Sequence, residues 1–169
     1  MLVSGNDAAN ALAEYYSGSV EEFAKVMNEE ALALGATNSH FVNANGLPDD
    51  EHYTTVYDMY LIFQEAVKSQ AFVDIIKTKS IDVTYQDANG NDVNKTWNNT
   101  NHYLTGETEA PEGITVIGGK TGTTNAAGYC LVLYSNNKKG EDIISIVYKS
   151  DGRSNMYLLM NQILSTFAN

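Results

Sequence analysis

Apolar residues recur at helical spacing through the first half of the chain and at alternate positions through much of the second. Ala8 to Tyr16 is alanine-rich and reads as a helix, with Asn6 or Asp7 capping its first turn. Ser19-Val20-Glu21-Glu22 has the form of a capping box. Beyond it, Val20, Phe23, Ala24, Met27, Ala31 and Leu34 share one face of a second helix, which Gly35 stops. Ala36 to Thr54 is rich in Asn, Gly, Pro and Asp and reads as a long connection. Thr55 then caps a third helix, Val56 to Lys68, with Met59, Tyr60, Phe63 and Val67 inward. A short helix, Ala71 to Ile76, follows.

The period changes after Lys77. Ile81, Val83 and Tyr85 alternate with polar residues, as do Val93, Lys95 and Trp97 less cleanly, and Asn89-Gly90 between them signals a hairpin. Asn98 to Gly113 is polar and irregular. Three strands are predicted next, Ile114 to Thr123, Tyr129 to Ser135 and Ile143 to Tyr148, with a turn at Asn136 to Gly140. From Arg153 a last helix carries Met156, Leu159, Met160, Ile163, Leu164 and Phe167 on its apolar face. Helices, then an antiparallel sheet, then a helix is an α+β order and not a repeating βαβ one. A chain of 169 residues is expected to form one domain. Its helical part covers about 1–77, a hairpin excursion about 78–98, and the sheet with the closing helix about 113–169.

A net charge of −11 argues against nucleic acid and anionic membrane surfaces as partners, since both need excess Lys and Arg. It also makes each cation scarce. The single cysteine, Cys130, allows no internal disulfide and reads as a small hydrophobe in an apolar run. His40, His52 and His102 lack metal-ligand spacing, so no metal and no cofactor are expected. No apolar run approaches bilayer length, and Met1-Leu2-Val3 is too short for the core of a signal peptide.

Against this background Gly118-Gly119-Lys120-Thr121-Gly122-Thr123-Thr124 stands out, a glycine-lined strand carrying one ammonium and three hydroxyls. Glycines in a strand let its backbone approach a ligand closely, and the lysine and threonines suit an anionic group. A phosphate loop is excluded: Ile114 stands where the Walker pattern needs a glycine, and a strand follows where that loop opens a helix. Ser4-Gly5-Asn6 alone reads as a helix cap. Together with a downstream Lys120-Thr121-Gly122 it gains meaning, because Lys-Thr-Gly and Ser-x-Asn are two signatures of the penicillin-recognising serine enzymes. Ser135-Asn136-Asn137-Lys138 is the only Ser-x-x-Lys in the 169 residues. It sits in a turn between strands, after the lysine motif, and is read as a chance match.

Ser4 to Ala13 resembles the second motif of the serine-type D-Ala-D-Ala carboxypeptidases (peptidase S11), the low-molecular-mass penicillin-binding proteins. Gly35 to Leu47, continued by His52-Tyr53-Thr54-Thr55 and Asp58-Met59, is similar to their characteristic loop. Gly118 to Gly128 with Tyr129-Cys130-Leu131-Val132 is similar to their third motif and next strand. The resemblance implies a partial β-lactamase/transpeptidase-like fold and an acyl-enzyme hydrolase of the cell envelope. That hydrolase trims the terminal D-Ala from peptidoglycan stem peptides and is acylated by β-lactams. It implies catalytic roles for Ser4, Asn6 and Lys120: Ser4 as a proton relay, Asn6 holding the substrate amide, Lys120 steering the C-terminal carboxylate. Thr121, Gly122 and Thr123 would bind substrate, with the Thr123 backbone N–H as half of an oxyanion hole. Some members receive the carboxylate with an arginine ahead of the third motif, but Asn99-Thr100-Asn101-His102 contains none. Carboxylate binding is then expected to rest on Lys120 and the threonines.

In that family a Ser-x-x-Lys helix and the first strands of the sheet come before Ser-x-Asn, whereas three residues precede Ser4 here. The expectation is an N-terminally truncated, inactive fragment whose Ile143 to Tyr148 strand is an open edge available for dimerisation. The alternatives are a nucleophile-free relative that binds cell-wall peptide or β-lactam without turnover, and an unrelated interaction domain.

Overall fold

The computed structural model describes residues 1–167. Four helices come first: α1 (Asn6–Ser17), α2 (Val20–Ala33), α3 (Val56–Ala66) and α4 (Gln70–Ile76). A hairpin follows, β1 (Ser80–Gln86) and β2 (Asp92–Asn98), then a single turn of helix, α5 (His102–Thr105). β3 (Thr115–Thr124), β4 (Gly128–Asn136) and β5 (Asp142–Ser150) form an antiparallel sheet in that order, and α6 (Arg153–Phe167) packs across it. The fold is α+β, helices then antiparallel strands then a helix.

Local signals account for most helix starts. Ser19 and Thr55 each accept a backbone N–H three residues on, Glu22 and Asp58 respectively. Two end residues depart from expectation. The α1 cap is Gly5 and not Asn6 or Asp7, with no side-chain cap. Ser4 adopts a left-handed conformation (φ 54°) closed by its N–H to the Met1 carbonyl, so the chain enters the helix one residue early and Asn6 becomes its first residue. Helix α3 ends at Ala66, with Val67 as its cap.

The sheet separates two apolar layers. On one side Leu131, Leu133 and Val147 meet Met156, Tyr157, Met160 and Leu164 of α6. On the other, Val132 packs with Phe63 and Ile76. Tyr157, absent from the expected face of α6, is buried, while Leu159 and Phe167 are 37% and 82% exposed. The stripe at 156, 157, 160 and 164 is fully buried on the sheet, with Ile163 packed at its margin. Leu159 and Phe167 lie along the outer side of β5 with Ile146 and Tyr148, where no further strand pairs among the described residues.

The glycines at the head of β3 serve this packing. A Cβ on Gly118 would lie 2.6 Å from the Ile76 carbonyl oxygen, and one on Gly119 would lie 2.4 Å from that of Val132. A Cβ on Gly122 would meet nothing within 4 Å. Gly118 and Gly119 therefore admit neighbouring protein backbone, and Gly122 alone leaves space open.

The connection between α2 and α3 is ordered by polar groups. Asp58, 1% exposed, accepts from the Asn38 N–H and the Ser39 hydroxyl. Burial pushes its carboxyl up, but the hydrogen bonds from Ser39, Asn38 and Thr55 outweigh that and leave it below the usual carboxylate value. Asn28 grips Phe41 through both its backbone groups. The Val42 N–H donates to His52 Nδ1, and Asn45 donates to Asn10 on α1.

Candidate active site

Lys120 and Ser4 meet across 116 positions of sequence: Lys120 Nζ donates to Ser4 Oγ at 2.9 Å. Register explains half of the meeting. Lys120 lies opposite Val132 in the β3–β4 ladder, well inside the regular part of β3, so its Cα is held by sheet pairing. The left-handed turn at Ser4 explains the other half, because φ 54° is uncommon for a non-glycine residue and directs the hydroxyl toward β3. Lys120 is half-buried, and desolvation holds its ammonium below the usual lysine pKa. It bonds in addition to the Thr121 carbonyl.

Ser4 and Asn6 line a cleft of about 460 Å³ together with Thr121, Gly122 and Thr123. Lys120 stands behind Ser4. The Asn6 carboxamide and the Thr123 hydroxyl make no hydrogen bond among the described residues, whereas the Thr121 hydroxyl is paired with that of Thr100 at 2.6 Å. All six residues singled out in the sequence thus come to one cleft or its immediate wall.

The cleft also holds residues that the sequence reading passed over. Arg153, the first residue of α6, brings a guanidinium to the wall. Besides Lys120, a second cation thus stands at the cleft. Tyr157, one turn further along α6, accepts the His102 N–H at its hydroxyl (2.8 Å) and stacks on the His102 ring at 4.9 Å and 13°. One more turn on, Asn161 accepts from the Tyr103 hydroxyl at 2.7 Å and donates to the Glu109 carbonyl. A polar row at spacing four on α6 thus clamps the segment expected to be irregular. Inside that segment Asn101 caps α5, and Asn99 donates to the Thr78 carbonyl at the hairpin base. The signal was the spacing of Arg153, Tyr157 and Asn161 on a helix whose apolar face drew attention first.

Ser135 cannot serve as a nucleophile. It is fully buried within β4, and Lys138 pairs with Glu112 at 3.0 Å, away from the cleft. Among the described residues no group of side chains could hold a metal, and no helix is long and apolar enough to cross a membrane.

Chemically the cleft offers the Lys120 ammonium, the Arg153 guanidinium, the hydroxyls of Ser4, Thr121 and Thr123 and the Asn6 carboxamide around an open strand edge, with the His102 imidazole and the Glu107 carboxylate on the same wall. That set suits a peptide with a terminal carboxylate.

The profile of the Peptidase S11 family, D-alanyl-D-alanine carboxypeptidase, matches residues 1–152. The chain is 38% identical over 141 residues to the D-alanyl-D-alanine carboxypeptidase DacF of Bacillus subtilis, covering 82% of this chain and 33% of that protein. It is 36% identical over 157 residues to the D-alanyl-D-alanine carboxypeptidase of Streptomyces sp. K15, covering 89% and 52%. A mutant of the Streptomyces K15 DD-transpeptidase superposes with a TM-score of 0.86 at 31% identity, over 98% of this chain and 64% of that one. The D-alanyl-D-alanine carboxypeptidase of Mycobacterium tuberculosis superposes with a TM-score of 0.80 at 27% identity, over 97% and 59%. The chain spans between a third and two thirds of the length of these relatives. With a glycine-lined lysine strand facing a Ser-x-Asn turn, and with that profile matched along nine tenths of its length, this chain belongs to the serine-type D-Ala-D-Ala carboxypeptidase family.

Proposed function

We propose that these 169 residues form the substrate-recognition side of a serine D-Ala-D-Ala carboxypeptidase site. The observation that carries the reading is the Lys120–Ser4 hydrogen bond at the wall of an open cleft. In this reading a peptidoglycan stem peptide ending in D-Ala-D-Ala, or a β-lactam, lies along β3. Its carboxylate is met by Arg153, Lys120 and the Thr123 hydroxyl, and Asn6 holds the penultimate amide. Ser4, bonded to an ammonium already weakened by burial, is placed to pass a proton to the leaving amine. The Thr123 N–H supplies one oxyanion donor. In this reading the site works on the outer side of the cell membrane, where such peptides are.

Bond-making needs an activated nucleophile, and the only Ser-x-x-Lys in these residues is unusable because Ser135 is buried. In a worked serine protease, loss of the nucleophile alone costs on the order of a millionfold in turnover. The 169 residues are therefore expected to bind and not to hydrolyse. The test is D-alanine release from a diacylated tripeptide ending in D-Ala-D-Ala, run beside fluorescent penicillin labelling. No release, and no label retained after denaturation, is the expected result. A label that survives denaturation overturns it.

A further inference from the structure

The imidazole of His102 stands between a cation and an anion that do not touch each other. Arg153 Nη1 lies 3.4 Å from His102 Nε2, and Glu107 Oε2 lies 3.3 Å from the same atom. No direct Arg153–Glu107 ion pair forms among the described residues. One nitrogen cannot serve both. With a lone pair, Nε2 accepts from the guanidinium; with a hydrogen, it donates to the carboxylate.

The ring is held so that this choice cannot be avoided by turning away. It stacks on Tyr157, its own backbone N–H is fixed by the Tyr157 hydroxyl, and Tyr103 packs edge-on against Tyr157 from α5. Arg153 and Tyr157 are one turn apart on α6, so the anchor of the ring and the group it positions belong to one rigid helix. Arg153 itself has no other hydrogen-bond partner among the described residues.

We propose that His102 is a positioning residue for Arg153, and that Glu107 competes for the same ring nitrogen so that one proton decides where the guanidinium rests. In the neutral ring with Nε2 bare, Arg153 is held at the cleft wall, facing a ligand carboxylate. When Nε2 takes a proton from solvent, the ring becomes a cation, turns its bond to Glu107 and repels Arg153. The guanidinium then leaves the wall, and a carboxylate loses a charge-assisted partner. The other titratable groups around the cleft are Tyr157 of α6, Tyr129 of β4 and Lys120 of β3, and none of these bonds to the ring nitrogens. The carboxylate part rests on the function proposed above; the His102–Arg153 pairing does not.

Two measurements separate these. The first uses no ligand: the Arg153 side-chain Nε–H signal and the His102 ring signals are followed by NMR from pH 8 to pH 5. One shared midpoint is expected. An Arg153 signal that ignores the His102 titration overturns the proposal. The second measures affinity for the diacylated D-Ala-D-Ala tripeptide across the same window. Wild type is expected to lose about tenfold toward low pH. His102→Gln, which offers an acceptor and a donor without titrating, is expected to give a flat profile. Glu107→Gln, an exposed site, is expected to move the loss to lower pH. A His102→Gln profile parallel to wild type means a merely structural histidine and also overturns the proposal. Shared NMR midpoints with no peptide binding at any pH sustain the pairing and sink the carboxylate site instead.

Discussion

Substituting alanine at the three glycines of β3 separates packing from recognition. At Gly118 the new methyl carbon would sit 2.6 Å from the Ile76 carbonyl oxygen and 2.7 Å from its carbon. Ordinary Cβ contacts begin near 3.4 Å, so the Ile76 backbone would have to recede by most of an ångström. Ile76 ends α4 and is itself 1% exposed, with little room to move. At Gly119 the methyl would sit 2.4 Å from the Val132 carbonyl oxygen, in the middle of the β3–β4 ladder. Overpacking a tight site costs about 1–3 kcal/mol and occasionally more. These clashes are with backbone, so the upper part of that range is expected for both, out of a total of about 5–15 kcal/mol. Gly122 has no neighbour within 4 Å and no left-handed φ, so alanine there should leave stability unchanged or raise it by about 0.4–1 kcal/mol. Because Gly122 lines the cleft, the same methyl is expected to weaken peptide binding. The assay is urea unfolding of the three variants with peptide titration of Gly122→Ala. Loss of stability in Gly122→Ala, or wild-type stability in Gly118→Ala, would refute the reasoning.

Other outcomes follow from the same structure. Lys120→Met should keep or slightly raise stability at pH 7, because it removes a desolvated ammonium, while peptide affinity falls about tenfold or more; calorimetric titration with thermal unfolding checks both halves. His52 binds its proton more weakly in the folded chain, chiefly through burial, with Asp49 opposing and His40 adding to the effect. Its contribution to stability is therefore complete above the ordinary imidazole range and is lost as pH falls through it. Protection of the Val42 amide, which donates to His52 Nδ1, should drop on that side, whereas the Asp58 contacts persist until pH falls below the usual carboxylate value. The outer side of β5, with half-buried Ile146 and Tyr148 beside exposed Phe167, is expected to self-associate. Light scattering that shows a monodisperse monomer at high concentration would contradict this.

What could be read from the residues was what their neighbours dictate. Ser19 and Thr55 cap because a hydroxyl three residues ahead of a free N–H does so in any context. The apolar run from Ile143 to Tyr148, interrupted only by Ser145 and set after a turn, reads as a strand for the same local reason. Ser4, Asn6 and Lys120 stood out only as a set, by their resemblance to known motifs, and the fold brings them together. What escaped was set by distant partners. Arg153 looks like a helix start until α6 is laid across the sheet, and His102 looks like part of a polar loop until Tyr157 lies against it. Gly118 and Gly119 have the chemistry of ligand-facing residues, yet the space they leave is filled by Ile76 and Val132. Leu159 and Phe167 fit the apolar period of α6, but the sheet beneath is too narrow to cover them.

On the proposed function, Ser4, Asn6, the Lys120 to Thr123 edge and Arg153 form one receptor for a peptide carboxylate. Amide chemical-shift mapping with the diacylated D-Ala-D-Ala tripeptide, and with its C-terminal amide as control, tests it most directly. Saturable shifts confined to residues 4–6, 120–123 and 153 are expected for the acid, and much weaker binding for the amide. Equal binding of acid and amide, or shifts that map elsewhere, would contradict it.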